Sequence, residues 1–273
     1  MKRFLKWARL VTCLLPRLIL DYFRIILPYS RHPERYPLSL RYARLRALIL
    51  KVAKHLRIDF KVKGYGEFLS RPSGCLIYGN HVAVCDVIAL IALSKEPISF
   101  VGKKEVRKIP LVGRVFKAID GLFLDREDPR QAIAVFKEAE RRMKGTGLSY
   151  VIFPEGTRAK GEAFATLLPF HPGSFKIAFR IKAPLLPFAI SGTERLLSGD
   201  LDRRHLVLLS FFKADLPSDY EGLSTVAYAE KAQKAIAAER ARLLQLDAEY
   251  YQANRQKEKL PKGESLCLER IDG

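Results

Sequence analysis

The chain has 273 residues, of which 48 are Lys or Arg and 29 are Asp or Glu, giving a formal net charge of +19. This length suits one large domain with extensions, and the strong positive charge indicates an anionic partner, either a membrane surface or nucleic acid. The four cysteines have no paired spacing, which argues against a disulfide framework or a zinc site.

The first 63 residues hold 16 Lys or Arg and only 3 Asp or Glu, interleaved with large apolar side chains. Basic helices with Trp, Phe and Leu on one face are typical of the lipid interface, whereas a nucleic-acid arm would not need this aliphatic surface. We therefore predict that residues 1–57 form two basic amphipathic helices that associate with a membrane. A membrane-inserted hairpin or span and a cleaved signal peptide stay open as alternatives, and the second helix also fits an ordinary core-facing helix.

Alternating strands and helices follow. Short apolar or alternating runs predict strands, and longer periodic stretches predict helices. The predicted strands are 58–63, 75–78, 98–101, 121–124, 151–153, 183–190 and 205–212, and the predicted helices are 84–93, 130–144, 176–182 and 225–246. This order predicts an α/β fold with a mixed, mostly parallel sheet flanked by helices over residues 58–250, and a polar, frayed tail over 251–273.

The segment Asn80–Asp86 follows one of these apolar strands and places His81 and Asp86 five positions apart. Ligands of α/β sheets collect at the carboxyl ends of strands. A histidine there can accept a proton from a hydroxyl, and a nearby aspartate can orient and charge the imidazole. Taken alone, the pair is weak evidence for a general base, because a lone histidine is more often a structural or surface residue. Cys85 stands beside Asp86, but nothing in the segment indicates a lowered thiol pKa, so we expect no nucleophilic role.

Two further strands end in arginine. Residues 121–126 run from Gly121 through an apolar strand to Arg126, and residues 151–158 end in Glu155, Gly156, Thr157 and Arg158. Arginine is well suited to bidentate phosphate recognition, although an ion pair at a sheet edge would explain each strand end singly. A basic cluster between residues 103 and 117 begins with Lys103 and Lys104. It could contact a phosphate group, lipid headgroups or an acidic protein, and it is equally compatible with a solvated helix face.

The four motifs, in order, are Asn80-His81-x4-Asp86, Gly121-x-Phe-Leu-Asp-Arg126, Phe153-Pro-Glu-Gly-Thr-Arg158 and the proline-bearing strand 183–190. Together they resemble the glycerolipid acyltransferases, and specifically the bacterial PlsC type of 1-acyl-sn-glycerol-3-phosphate acyltransferase, over roughly residues 58–215. Residues 102–113 and 169–174 resemble the intervening segments, although the family often has lysine at the position of His171.

The resemblance implies that His81 is a general base paired with Asp86, and that Arg126 and the segment Glu155–Arg158 bind the acceptor's phosphate, with Asn80 and Gly121 in the same substrate-binding motifs. Because a carboxylate is an unusual neighbour of a phosphate, we expect Glu155 to hold an arginine or a hydroxyl in place rather than touch the phosphate itself. It implies transfer of an acyl group from acyl-CoA or an acyl carrier protein to lysophosphatidic acid, giving phosphatidic acid, without a metal or other cofactor. Together with the basic start of the chain, it predicts a protein on the cytoplasmic face of the cell membrane, with no nucleic-acid partner.

Three alternatives stay open. The acceptor could be another lysophospholipid or glycerol 3-phosphate, since the motifs indicate the transfer chemistry and a phosphate site rather than the shape around them. A peripheral membrane-binding protein that has lost the chemistry is a second possibility, which the intact His81 and Asp86 disfavour. A nucleic-acid-binding protein is a third, which rests on net charge alone.

Overall fold

The computed structural model describes residues 15–55, 58–125, 127–158, 166–197, 205–253 and 268–270. In chain order the helices are α1 Leu15–Asp21, α2 Leu27–Arg31, α3 Leu38–His55, α4 Tyr65–Leu69, α5 Cys85–Leu93, α6 Val112–Ala118, α7 Pro129–Thr146, α8 Lys176–Ile181 and α9 Thr225–Ala253. The strands are β1 Ile58–Lys63, β2 Leu76–Gly79, β3 Ile98–Lys103, β4 Leu122–Leu124, β5 Ser149–Ile152, β6 Leu185–Ser191, β7 His205–Phe211 and β8 Leu268–Arg270.

All eight strands form one sheet in the order β4-β3-β5-β2-β6-β7-β1-β8. Every pairing is parallel except that between β6 and β7. The predicted fold class, a mixed and mostly parallel sheet flanked by helices, is therefore confirmed. Since β4, β3, β5, β2 and β6 run in one direction, their carboxyl ends meet at one edge of the sheet, which is the edge where ligands bind in such folds.

Apolar side chains on the two faces of the sheet form two cores. Alternation along each strand sends Ile77 and Val151 into one core and Leu76 and Tyr150 into the other. The first core takes residues of α2, α3, α5 and α6, and the second takes residues of α7, α8 and α9. The protein is thus a three-layer sandwich, the arrangement expected for a sheet that is mostly parallel and needs both faces covered.

The N-terminal helices belong to the first core. Between α1 and α2 the chain makes a π-turn over Tyr22–Ile26, closed by the Leu27 N–H donating to the Tyr22 carbonyl, directly before Pro28, which has no N–H to continue the α-helical pattern. Ile26 and Tyr29 are buried there beside Tyr42. Residues 1–14, which include much of the first predicted helix, lie outside the described residues, and membrane association of this segment stays a prediction.

The predicted elements between residues 58 and 246 are all present, with bounds that shift by a few residues. The helix predicted over 225–246 continues to Ala253. Leu268–Arg270 pairs in parallel with β1, in a segment whose polar composition predicted a frayed tail. Such a three-residue edge strand depends on a neighbour distant in the sequence, so the local pattern carries no signal for it.

Candidate active site

The segment from Asn80 to Val84 leaves the carboxyl end of β2, which lies between β5 and β6 in the parallel part of the sheet. It leads into α5, whose first turn contains Asp86. The short, wholly apolar strand and the apolar helix fix both ends of the segment in the core. His81 and Asp86 therefore lie on a connection held at both ends by buried elements.

Asp86 is fully buried and accepts four hydrogen bonds. Its Oδ2 accepts from His81 Nδ1 at 2.7 Å, from the Val82 N–H at 2.7 Å and from the Ala83 N–H at 3.1 Å. Its Oδ1 accepts a short hydrogen bond from the Thr193 hydroxyl. Every donor points at the carboxylate, and the first turn of a helix also favours a negative charge, so the site is built for an ionised Asp86.

The His81 ring lies at the pocket described below, with 19% of its side chain exposed. Phe153 stacks on it, with ring centroids 4.1 Å apart and planes 20° from parallel. Because the Asp86 carboxylate only accepts, His81 Nδ1 carries the proton and Nε2 is the basic nitrogen of the neutral ring. This is the arrangement that an oriented general base requires.

Glu155 holds the His81 segment from the other side. Its Oε1 accepts from the His81 N–H at 2.7 Å, and its Oε2 accepts from the Leu168 N–H at 2.8 Å, while only 3% of the residue is exposed. Burial raises the pKa of this carboxyl, and the two N–H donors and nearby Arg240 oppose that shift. Glu155 thus ties the loop after β5 to the loop after β2.

Two residues of the predicted binding set lie away from the pocket. Asn80 is 1% exposed, and its amide donates to the Ile190 carbonyl at 2.9 Å and accepts from the Ile190 N–H at 2.8 Å. Gly121 donates to the Phe116 carbonyl at 2.7 Å, and a Cβ there would stand only 2.7 Å from that oxygen. In the structure, Asn80 therefore links the end of β2 to β6, and Gly121 allows the backbone before β4 to approach α6 closely.

A pocket of about 470 Å³ opens beside His81. Many of its lining side chains are apolar and come mainly from α5, β3, α6, β4 and α7, and the others are polar or cationic. The apolar side chains include Val87, Phe100, Val106, Val112, Phe116, Leu124 and Phe136; the polar and cationic ones include Lys103, Thr157, Arg158, His171, Ser174 and Lys176.

Only some of the predicted phosphate-binding residues line the pocket in the described part of the chain. Gly156, Thr157 and Arg158 line the pocket, and Arg158 is exposed. The Gly156 N–H donates to the Phe153 carbonyl at 2.9 Å, and the glycine supplies a φ of +68° that the turn needs. Arg126 lies outside the described residues, so its predicted role stays a prediction.

The first two lysines of the predicted basic cluster, Lys103 and Lys104, also differ. Lys104 Nζ lies 2.9 Å from Asp125 Oδ2 and 3.3 Å from Glu127 Oε2. This ion pair raises the pKa of Lys104 and lowers that of Asp125. Lys103 lines the pocket. Lys103 is therefore the member of the pair positioned to meet an anionic ligand.

Several residues of the site were not predicted. Thr193 follows β6, more than a hundred residues from Asp86 in the sequence, and a hydroxyl there has no local signature. The sequence places Phe153 at the end of a strand and in the third motif, but nothing in it predicts that its ring stacks on His81. Ser174 and Lys176 line the pocket, whereas the sequence assigns Ser174 only to the stretch 169–174 and Lys176 only to a helix.

Cys85 is 2% exposed, and burial, with a smaller contribution from Asp86, raises its pKa to about 11. The thiol is therefore protonated at neutral pH and faces the core, in agreement with the expectation that it is no nucleophile. No group of three or more His, Cys, Asp or Glu side chains in the described part of the chain is arranged to hold a metal ion. Among the same residues, no helix is long and apolar enough to span a bilayer.

Comparison with known proteins gives three findings. Residues 61–191 match the family model Acyltransferase. The chain is 30% identical over 155 residues to an uncharacterised acyltransferase of Schizosaccharomyces pombe, covering 57% of this chain and 55% of that protein. It is 29% identical over 141 residues to the 1-acyl-sn-glycerol-3-phosphate acyltransferase of Escherichia coli, covering 50% and 56%.

A protein of the same name from Limnanthes alba is 37% identical over 117 residues, covering 42% of this chain and 40% of that one. These alignments thus span 40% to 56% of the relatives' lengths. Among solved structures, the 1-acyl-sn-glycerophosphate acyltransferase PlsC of Thermotoga maritima superimposes with a TM-score of 0.59 at 24% identity, covering 87% of this chain and 92% of that one. This last likeness is one of fold.

Proposed function

We propose that this protein, whose residues 61–191 match the acyltransferase family model, transfers a fatty acyl group from a thioester to the free hydroxyl of 1-acyl-glycerol 3-phosphate, giving phosphatidic acid. The observation that carries the proposal is His81, held by Asp86 through Nδ1 at a pocket that is lined by both apolar and cationic side chains. The relatives from Escherichia coli and Limnanthes alba are named for this reaction.

In the proposed mechanism, Nε2 of His81 removes the proton of the acceptor hydroxyl as its oxygen attacks the thioester carbonyl. Asp86 stabilises the imidazolium that forms. The tetrahedral intermediate then collapses, the carbon–sulfur bond breaks, and the imidazolium returns its proton to the leaving thiolate. No step leaves a covalent acyl-enzyme, which is consistent with a protonated, buried Cys85.

The two kinds of side chain that line the pocket suit the two ends of the substrates. Apolar side chains such as Phe100, Val112 and Phe136 suit an acyl chain, because its burial there removes apolar surface from water. Arg158, Lys176 and Lys103 provide positive charge for the acceptor's phosphate. The new ester bond forms next to His81.

The membrane is the proposed source of the acceptor. The N-terminal helical run exposes Ile19, Leu20 and Phe23, at 49%, 45% and 61%, although α1 and α2 pack against the domain. Arg24 and Arg31 lie in the same run. Exposed apolar side chains beside arginines are typical of a helix that lies in the headgroup region of an anionic leaflet. We assign this surface to the cytoplasmic side of the cell membrane.

Acyl transfer by the purified protein in detergent tests the proposal, with 1-acyl-glycerol 3-phosphate as acceptor and an oleoyl thioester of CoA or of an acyl carrier protein as donor. His81→Ala is compared with His32→Ala, a change of an exposed histidine remote from the pocket. We expect phosphatidic acid from wild type and His32→Ala, and a loss of about 10²–10⁴-fold in His81→Ala, the usual contribution of a general base. Turnover of His81→Ala within tenfold of wild type would contradict the assignment.

The acceptor is tested in the same assay. Glycerol 3-phosphate and other lysophospholipids are offered in place of lysophosphatidic acid, with both donors. A kcat/KM for one of them that exceeds the value for lysophosphatidic acid would replace the proposed substrate while keeping the proposed chemistry. Silence with every acceptor and both donors would favour a membrane-binding protein without acyl transfer.

A further inference from the structure

The loop between β3 and α6 contains a strained turn. After the 3₁₀ helix Lys104–Lys108, the Val112 N–H donates to the Pro110 carbonyl at 2.7 Å across Leu111, whose φ and ψ are +67° and −55°. This is a classic γ-turn, a rare conformation that is strained for a residue with a side chain. A leucine in this region of φ and ψ is strained, and a glycine would avoid that strain.

The surrounding backbone holds this turn rigidly. The Gly113 N–H donates to the Ile109 carbonyl at 3.0 Å, and the Val115 N–H donates to the Leu111 carbonyl at 2.9 Å. Gly113 packs so tightly that a Cβ there would lie 2.5 Å from the Arg107 carbonyl oxygen. The loop is therefore a fixed part of the domain that presents the Leu111 side chain in one direction.

Folding does not explain the leucine. Leu111 is 49% exposed, so its burial contributes little to the core, and it occupies a backbone conformation that suits glycine better. Ile109, on the other side of Pro110, is 42% exposed and also lines the pocket. Residues 109–111, which we call the mouth loop, thus expose two large apolar side chains at the edge of the proposed active site.

The mouth loop lies between basic side chains. Residues 103–117 include six Lys or Arg and one Glu, and Lys103, Arg107, Lys108 and Lys117 are exposed. The following helix α6 packs against α2, and Arg114 lies over the Tyr22 ring at 5.8 Å. The mouth loop is therefore close to the N-terminal helical run that exposes Phe23.

We propose that the mouth loop is a second membrane contact, in which Leu111 and Ile109 enter the interface of an anionic bilayer while the neighbouring lysines and arginines meet the headgroups. This inference rests on the proposed function and deepens it, since it would set the edge of the pocket against the surface that holds the acceptor. Anionic lipid fits the charge, and the exposed leucine and isoleucine fit the apolar layer beneath the headgroups. An acidic carrier protein would match the charge alone.

The test compares Leu111→Gly, Leu111→Ser and the control Leu216→Ser, which changes a leucine of similar exposure (45%) remote from the pocket. Binding to vesicles of phosphatidylglycerol and phosphatidylcholine is measured by flotation. We expect both Leu111 variants to bind about five- to tenfold more weakly, as for loss of half a leucine's apolar contact, while the control is unchanged. Leu111→Gly should bind weakly although its melting temperature is not below that of wild type, because glycine relieves the strained turn.

Activity separates this inference from the proposed function. Detergent-dispersed lysophosphatidic acid reports the chemistry alone, and we expect the Leu111 variants to retain it while losing turnover of the same acceptor in vesicles. Wild-type vesicle binding by Leu111→Gly, or an equal loss in Leu216→Ser, would overturn the inference. So would a loss confined to carrier-protein donors, which would make the mouth loop a protein-docking site. An inactive wild type in detergent would refute the proposed function, while flotation would still test the loop.

Discussion

Asp86→Asn separates the charge of Asp86 from its hydrogen bonds. Oδ2 of Asp86 accepts three N–H donors, whereas Oδ1 accepts the Thr193 hydroxyl, which can rotate to become an acceptor. The asparagine should therefore place its carbonyl oxygen at the Oδ2 position and its NH₂ toward Thr193. The segment, the Nδ1–H tautomer of His81 and the fold are preserved, and only the negative charge is lost.

The expected effect on turnover follows from that charge. In the transition state His81 becomes an imidazolium whose Nδ1 lies 2.7 Å from the carboxylate. A pair of unit charges about 4 Å apart, at an effective dielectric constant of about 20, interacts by about 4 kcal/mol. Since each 1.4 kcal/mol changes a rate about tenfold, we expect Asp86→Asn to lower kcat about 10³-fold. If the asparagine turned its NH₂ toward His81, the imidazole would take the other tautomer and kcat would fall further. The Val82 and Ala83 N–H groups prevent this orientation of the amide, because they require an acceptor at the Oδ2 position.

The assay is phosphatidic acid formation at saturating donor and acceptor in detergent, with unfolding by urea measured in parallel. Asp215→Asn is the matched control, because Asp215 accepts from the Tyr228 hydroxyl away from the pocket. We expect Asp215→Asn to retain kcat. If Asp86→Asn keeps kcat within tenfold of wild type, the carboxylate does not stabilise an imidazolium. If it fails to fold, the assumed amide orientation is wrong.

Three further predictions concern the surroundings of this pair. Glu155→Gln replaces one of the two carboxylate oxygens by an NH₂ donor, so either the His81 or the Leu168 N–H loses its hydrogen-bond acceptor. We expect a loss of about 1–3 kcal/mol in the free energy of unfolding and a lower kcat. An unchanged urea midpoint would contradict the contact. Cys85→Ala should retain kcat, and in the native wild type the Cys85 thiol should resist alkylation at pH 8, as located by peptide mass spectrometry, because its pKa is raised to about 11. Arg158→Ala should raise the acceptor KM more than it lowers kcat, with Arg158→Lys intermediate, and an unchanged KM would exclude a phosphate contact.

The parallel sheet explains why the main motifs could be predicted. Residues after β2 and β5 must meet once the strands are adjacent and parallel, so the strand ends carrying His81 and Arg158 could be expected at one edge. Asp86 could be paired with His81 because only five positions separate them. These inferences needed only the positions of the strands and the order of the motifs along the chain, and short apolar runs indicate where the strands lie.

Contacts that depend on distant backbone could not be predicted. Asn80 looked like a ligand-binding side chain, but its amide matches the Ile190 backbone on a neighbouring strand, which only the register of β2 against β6 determines. The γ-turn at Leu111 has no glycine or asparagine at its centre to indicate a positive φ. The apolar side chains that line the pocket come from five separate elements, so no single stretch of the sequence predicts the pocket.

The candidate site extends beyond the span that matches the family, which ends at residue 191. Thr193 donates to Asp86, and Arg240, 3% exposed on α9, interacts electrostatically with Glu155, Glu194 and Asp86. Burial raises the pKa of the Glu155 and Glu194 carboxyls. Arg240 opposes that shift at Glu155. The long C-terminal helix thus supplies a buried positive charge near the acids behind His81, and this charge favours the ionised form of Glu155, which accepts two hydrogen bonds.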